Sequence, residues 1–312
     1  MISSPFVNAS ELERETGLGK DLLRKWRSRY GFPVPFSAKD GERGYSRDMV
    51  AQLRLIRRLL DSGFRPQQVV GKSYQELVQL ADATTSVSPE LGEQSFVQEA
   101  LALLKHYDFD GLDRLLGQER ASQSLRDFVE LTVAPLLVGL GKAWARGEIE
   151  VYHEHLCSSI LIRRLYLEMA SVVPKPGYPR ILFATPSEEQ HVLGLLMVQA
   201  VLADQGAHCI NLGAHVPSGD LEMAAQACQA EVVALSFSFA YPKWRVRPTL
   251  LHLREKLPVT TEIWAGGAGA SVIKRALPGI RIFSSLGEAA LAVQRLAGKG
   301  NTALGTESVV PV

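Results

Sequence analysis

At 312 residues, 46% hydrophobic and 21% charged, the chain is long enough for two or three domains with real cores, which excludes a disordered or fibrous protein. No run of eighteen apolar residues and no basic-then-apolar leader is evident, so the expectation is a cytoplasmic protein with no membrane partner. The net charge of +1 hides an asymmetry, since residues 1–72 net +6 and the remainder nets −5, and a basic head on an acidic body points that head at nucleic acid.

From the N-terminus, Ser10 with Glu13 forms a capping-box pattern that opens a short helix through Leu12 to Thr16. Gly17-Leu18-Gly19 breaks it, and a second helix is predicted from Lys20 to Arg29, as expected of a helix-turn-helix. Lys20, Arg24, Lys25, Arg27 and Arg29 alternate with Leu22, Leu23 and Trp26, so the apolar residues would face a core and the cations a major groove. Asp40-Gly41 signals a hairpin, Arg47 to Ser62 a third helix, and Gly63 to Val69 a turn into a fourth.

The runs Leu22 to Gly31 and Gly41 to Ser46 resemble those of the MerR family of winged helix-turn-helix regulators, over roughly residues 1–80. The resemblance implies operator DNA as partner, with Arg24, Arg43 and Tyr45 on the duplex, beside Lys20 and Lys25 of the same cationic helix. Such regulators dimerise, often through a long helix after the head. Here a linker, Asp82 to Ser95, follows, so assembly is expected to come from elsewhere.

Residues 95–173 read as four helices, Phe96 to Lys105, Phe109 to Gln118, Leu125 to Trp144 with a break at Pro135, and Val151 to Val172, hence a four-helix bundle. Beyond the Pro174 to Gly177 linker, residues 179–298 alternate strand and helix. Strands are predicted at Ile181–Thr185, His208–Asn211, Val232–Phe237, Glu262–Ala265 and Ile280–Phe283, giving an α/β, Rossmann-like domain with a five-stranded parallel sheet. Helices are predicted from His191, Ser218, Lys243, Ala268 and Leu286, and Lys299 to Val312 reads as a tail.

Glu189, His191 and Gly194 follow the first of these strands, Ser236 ends the third and Gly266-Gly267 the fourth. All fall at the strand C-termini, where a cofactor belongs. The series resembles the cobalamin-binding family's Asp/Glu-x-His-x-x-Gly, Ser-x-Leu and Gly-Gly motifs, with Ser238 standing where that family often has Leu. It implies His191 as the cobalt ligand, Glu189 holding its other ring nitrogen, Ser236 on the buried nucleotide tail, and glycines leaving room for that tail. His215 reads as a loop residue, and Cys157, Cys209 and Cys228 are too scattered for a disulfide framework or a zinc site.

Trp144, nine residues and then Glu154-His155 resembles the cap of the light-sensing cobalamin repressors of CarH/LitR type. In that family the Trp packs on the adenosyl group and the Glu-His pair meets its polar edges. Head, bundle and sheet together resemble this family over nearly the whole chain. The implied protein is a repressor that is no enzyme, binds adenosylcobalamin, occupies its operator as a homo-oligomer (a tetramer) in the dark, and leaves it when light breaks the cobalt–carbon bond. Ala145 stands where many members have a ligating His, which leaves water or His153 for the exposed upper face. Two other readings stay open: a corrinoid methyl-carrier component, which leaves the basic head unexplained, and a cobalamin-independent regulator controlled by a protein partner.

Overall fold

A computed structural model describes residues 6–37, 43–61, 64–83 and 91–304. The expected Asp40-Gly41 turn, Gly63, residues 84–90 of the expected linker and the last eight residues lie outside the described residues, as does the side chain of Arg43. The chain forms two compact units, Met1–Leu115 with Ala134–Cys157, and Leu116–Val133 with Ser158–Val312. The helical region is therefore divided between them.

In the first unit, β1 (Phe6–Val7), β2 (Phe36–Ser37) and β3 (Arg43–Ser46) make a small antiparallel sheet in the order β1-β3-β2. The cap of helix α1 (Ala9–Thr16) lies two residues earlier than predicted, at Asn8, which accepts from the amides of Ser10 and Glu11 while Glu11 returns a carboxylate to the Asn8 amide. Asn is as good a cap as Ser, and Asn8 brings its own acidic residue three positions on. Helix α2 (Lys20–Tyr30) ends at Gly31, whose φ of 71° suits a left-handed cap. Leu23 and Trp26 are buried, but Leu22 points outward, because residues one apart on a helix do not share a face.

Helices α3 (Arg47–Asp61), α4 (Pro66–Val69) and α5 (Tyr74–Ala83) complete the head, whose core holds Leu12, Trp26, Leu53, Ile56, Leu59 and Leu77. The unit also contains α6 (Leu91–Lys105), which begins before Phe96, and most of α7 (Phe109–Ala121). Between α8 (Leu125–Asp127) and α9 (Ala134–Ala145) the backbone widens into a π-helical turn over Phe128–Val133. Pro135 explains it: with no N–H and a ring that crowds the preceding turn, it cannot continue regular α hydrogen bonding. By length and composition alone, Leu125–Ala145 could cross a membrane; Phe128, Val133, Leu136 and Leu140 within it are buried in the fold. Helix α9 ends at Ala145, which lies in the head's core, and helix α10 (Val151–Ala170) follows after a short loop.

In the second unit the strands are β4 (Arg180–Ala184), β5 (His208–Asn211), β6 (Val232–Ser236), β7 (Glu262–Gly266) and β8 (Ile280–Ile282). They form a parallel sheet in the order β5-β4-β6-β7-β8. Central β6 is buried along its whole length, as a strand covered on both faces must be. The connecting helices are α11 (Leu193–Gln205), α12 (Ser218–Ala227), α13 (Lys243–Lys256) and α14 (Leu286–Leu304), the last extending six residues into the expected tail. The link from Ala268 to Val272 is only a 3-10 turn. Strand order reverses between β4 and β6, and the crevice at such a switch point is where ligands of open α/β sheets bind.

Candidate functional site

The loop from Thr185 to Val192 and the turn after β6 flank that crevice. Glu189 is 1% exposed, and its two carboxylate oxygens tie the loops together. Oε1 accepts from the His191 amide (2.9 Å) and lies 2.7 Å from His191 Nδ1, while Oε2 accepts from the Ser238 amide at 2.8 Å. Burial alone pushes this carboxyl's pKa up, but the hydrogen bonds from His191 and Ser238 outweigh it and bring it down to about 2. Glu189 is thus a fixed negative charge that commits Nδ1 of His191. The His191 side chain itself is 57% exposed, so a metal approaching this ring would be bound by Nε2.

Supporting groups hold the loop from behind. The buried Thr185 hydroxyl donates to the Glu189 carbonyl (2.6 Å) and accepts from the His215 amide (3.0 Å). His215 supports the same loop: its Nδ1 accepts from the Glu188 amide at 2.7 Å. Arg245 pairs with Glu188 at the rim, and Phe239 stands 6.2 Å from the His191 ring. A threonine at a strand end was the visible signal for Thr185; nothing in the sequence marked Arg245.

Beside His191 a mainly apolar pocket of about 620 Å³ runs between α11 and the ends of β6, β7 and β8, with Gly194, Leu195, Val198, Ser236, Trp264, Gly266, Gly267 and Phe283 among its lining residues. The glycines serve different ends. A Cβ on Gly267 would lie 2.4 Å from the Phe237 carbonyl oxygen, so the fold requires glycine there. A Cβ on Gly266 would meet nothing nearer than the Phe283 carbonyl at 3.8 Å, so its absence keeps the pocket open instead. A Cβ on Gly194 would stand 3.2 Å from Ser236 Oγ, which ties helix start to strand end. Ser238 contributes its amide to Glu189, and its hydroxyl lies 3.2 Å from His191 Nδ1, a role a leucine side chain could not fill.

In the first unit, Trp144 is half-buried against the head's core, with the Arg54 guanidinium 5.4 Å over its ring. Glu154 and His155 pair with each other (3.0 Å) on the first turn of α10, with the His155 side chain 73% exposed. His153 is buried, stacks on Tyr152 and accepts the Glu150 amide on Nδ1. On the head, Arg24 and Lys25 are exposed, Arg24 pairs with Asp21, and Lys20 reaches Ser10 and Glu13. Tyr45 is 5% exposed, with its hydroxyl accepting from Arg27 at 2.7 Å; its ring belongs to the core of the head.

Residues 7–72 match the MerR HTH family of regulatory proteins, and residues 97–167 and 179–297 match two B12-binding domain families. The HTH-type transcriptional repressor CarH of Myxococcus xanthus is 30% identical over 266 residues, 81% of this chain and 86% of that protein. CarA of the same organism, also an HTH-type transcriptional repressor, is 30% identical over 228 residues, 72% of this chain and 74% of its own. The chain belongs to the CarH/CarA family of MerR-type repressors. Among solved structures, a monomethylamine corrinoid protein of Methanosarcina barkeri superposes with a TM-score of 0.49 at 16% identity, covering 65% of this chain and 99% of that one.

A CarH/CarA-type chain is a DNA-binding regulator with a cobalamin-binding domain, not an enzyme, and the donor set here fits that group. A histidine backed by a buried carboxylate suits a cobalt ion, and a mainly apolar pocket next to it suits a flat heterocyclic tail. Among the described residues no cluster of three or more His, Cys, Asp or Glu offers an alternative metal site.

Proposed function

We propose that this repressor binds adenosylcobalamin, occupies its operator as an oligomer, a tetramer, in the dark and releases it in light. The observation that carries the reading is the Glu189–His191 pair, in which a buried carboxylate holds Nδ1 and leaves Nε2 for cobalt. His191 would hold cobalt through Nε2, Ser236 would bond the nucleotide tail in the pocket, and Trp144, Glu154 and His155 would meet the adenosyl group. Bound adenosylcobalamin supplies a cobalt–carbon bond that light breaks. Trp144 would lose a packing partner on illumination, and that change of packing would bias the assembly. With Ala145 in the head's core and Nδ1 of the buried His153 committed to the Glu150 amide, water rather than histidine would meet the exposed upper face.

Several heads on one oligomer would bind operator DNA by avidity, without strengthening any single contact. Arg24, Lys25, Lys20 and Arg43 supply its cations, and Tyr45 acts from within the core by holding Arg27. The protein would work in the cytoplasm, where its operator lies.

The test is reconstitution with adenosylcobalamin in darkness, followed by absorption spectra and size-exclusion profiles before and after green light. Spectral conversion together with a change in oligomer size is the expected result. Firm binding with no light-driven size change would reject light-controlled assembly, and no binding would leave the regulator governed by a protein partner.

A further inference from the structure

The Trp144 ring is held by a cluster outside the cobalamin site. Arg54 on α3 is 2% exposed, yet its Nη2 meets Glu15 of α1 at 3.0 Å and Glu150 of the α9–α10 loop at 2.9 Å. The same guanidinium covers the Trp144 ring. One further contact joins this segment to the head, the Tyr74 hydroxyl donating to the Arg146 carbonyl at 3.1 Å, and Gly147 lies beside Ala51, where an added Cβ would stand 3.5 Å from the Ala51 methyl.

A buried arginine is costly unless its charge is answered, and here one carboxylate comes from the head and the other from the loop that follows Trp144 at the end of α9. Arginine suits this position better than lysine, because its planar fork can meet two carboxylates while its face stacks on indole. We propose that Arg54 and Glu150 are positioning residues for Trp144, so that the DNA-binding head and the cofactor compete for one indole ring. This rests on the reading of Trp144 as a contact of the adenosyl group. With the ring under Arg54, the head is fastened to the loop; with the ring drawn to the cofactor, Arg54 loses its stacking partner and the fastening weakens. Reciprocity then requires that weakening the fastening strengthens cofactor binding.

The experiment uses the full chain and three variants: Glu150→Ala, Glu148→Ala as a control carboxylate on the same loop, and Trp144→Phe. Glu148 pairs with Lys105 and Arg146, not with Arg54. Amide hydrogen exchange without cofactor reads the fastening, and absorbance titration with adenosylcobalamin in the dark reads affinity. Glu150→Ala should raise deuterium uptake in α3 and in residues 144–150 and tighten adenosylcobalamin binding roughly three- to tenfold, within the range of ordinary coupling, while Glu148→Ala changes neither. Unchanged uptake in Glu150→Ala overturns the fastening. Raised uptake with unchanged affinity overturns the competition. If Trp144→Phe binds adenosylcobalamin like wild type while Glu150→Ala still loosens the head, the assignment of Trp144 to the adenosyl group is what fails, and the shared ring with it.

Discussion

His191 and Trp144 are both ring residues of the candidate cofactor set, and the chain holds them in opposite ways. His191 is fixed by its own loop, through a buried carboxylate that the amide of Ser238 also holds. Trp144 is fixed by a different part of the molecule, the Arg54 of the DNA-binding head. A preorganised group adds affinity because its ordering has been met in folding, whereas a group engaged elsewhere must first be released. The lower cobalt ligand is therefore expected to govern whether cobalamin binds, and the tryptophan to govern what binding does to the head.

The sharpest test of that division is His191→Ala. Removing a group behind a metal ligand typically costs about 10–100-fold in affinity, so losing the ligand itself should cost at least about 100-fold. Titration followed by absorbance would show this, with the spectrum of the residual complex lacking a histidine on cobalt; retention of wild-type affinity would break the comparison. Glu189→Gln should fall in the roughly 10–100-fold range, because the neutral amide still reaches His191 but no longer raises its basicity.

Glu189 also predicts a pH effect. Its carboxyl is raised by burial but lowered further by its hydrogen bonds, from 4.5 to about 2 on folding. A pKa depressed in the folded state gives stability that is full above about pH 4.5 and is lost as pH falls toward 2. The cofactor-free wild type should lose melting temperature across that window, and Glu189→Gln should flatten that slope while leaving the rest of the profile in place.

Much of this was legible because the second unit repeats strong periodic signals. All five strands fall within one residue of their predicted ends, and the central ones, β4, β6 and β7, are short, largely apolar runs. The glycines at the strand ends likewise pointed to the pocket. Helix α5 was missed although it was signalled by Ser73 and Glu76, which exchange hydrogen bonds at 2.9 and 3.3 Å as a capping box does, and by Leu77, Val78, Leu80 and Ala81, which pack in the head's core. The contact between Trp144 and the head could not be read, because Arg54 is distant in sequence and a tryptophan serves equally well in a core or on a ligand.

Smaller effects sharpen the pocket side. Gly266→Val meets no protein atom that forbids its Cβ, so the fold should survive while the added side chain narrows the pocket. A loss of about tenfold in cobalamin affinity, on the order of 1.4 kcal/mol, is expected at unchanged secondary structure by circular dichroism. A protein that instead fails to fold would show that Gly266, like Gly267, serves the backbone.

The head offers the smallest effects and the cleanest contrast, because Arg24 is exposed and Tyr45 is not. Arg24→Ala should weaken operator binding in proportion to one lost phosphate contact, lowering the salt slope of log K by about 1 with no change in melting temperature. Tyr45→Phe removes only the hydroxyl that accepts from Arg27, and Arg27 keeps its bond to the Pro33 carbonyl at 2.9 Å. The cost should therefore be about 1 kcal/mol of head stability, seen by thermal melting, with operator affinity following that loss and the salt slope intact. A fall in the salt slope for Tyr45→Phe would mean that Arg27 needs the hydroxyl to reach a phosphate, which would place Tyr45 in the DNA contact and not merely beneath it.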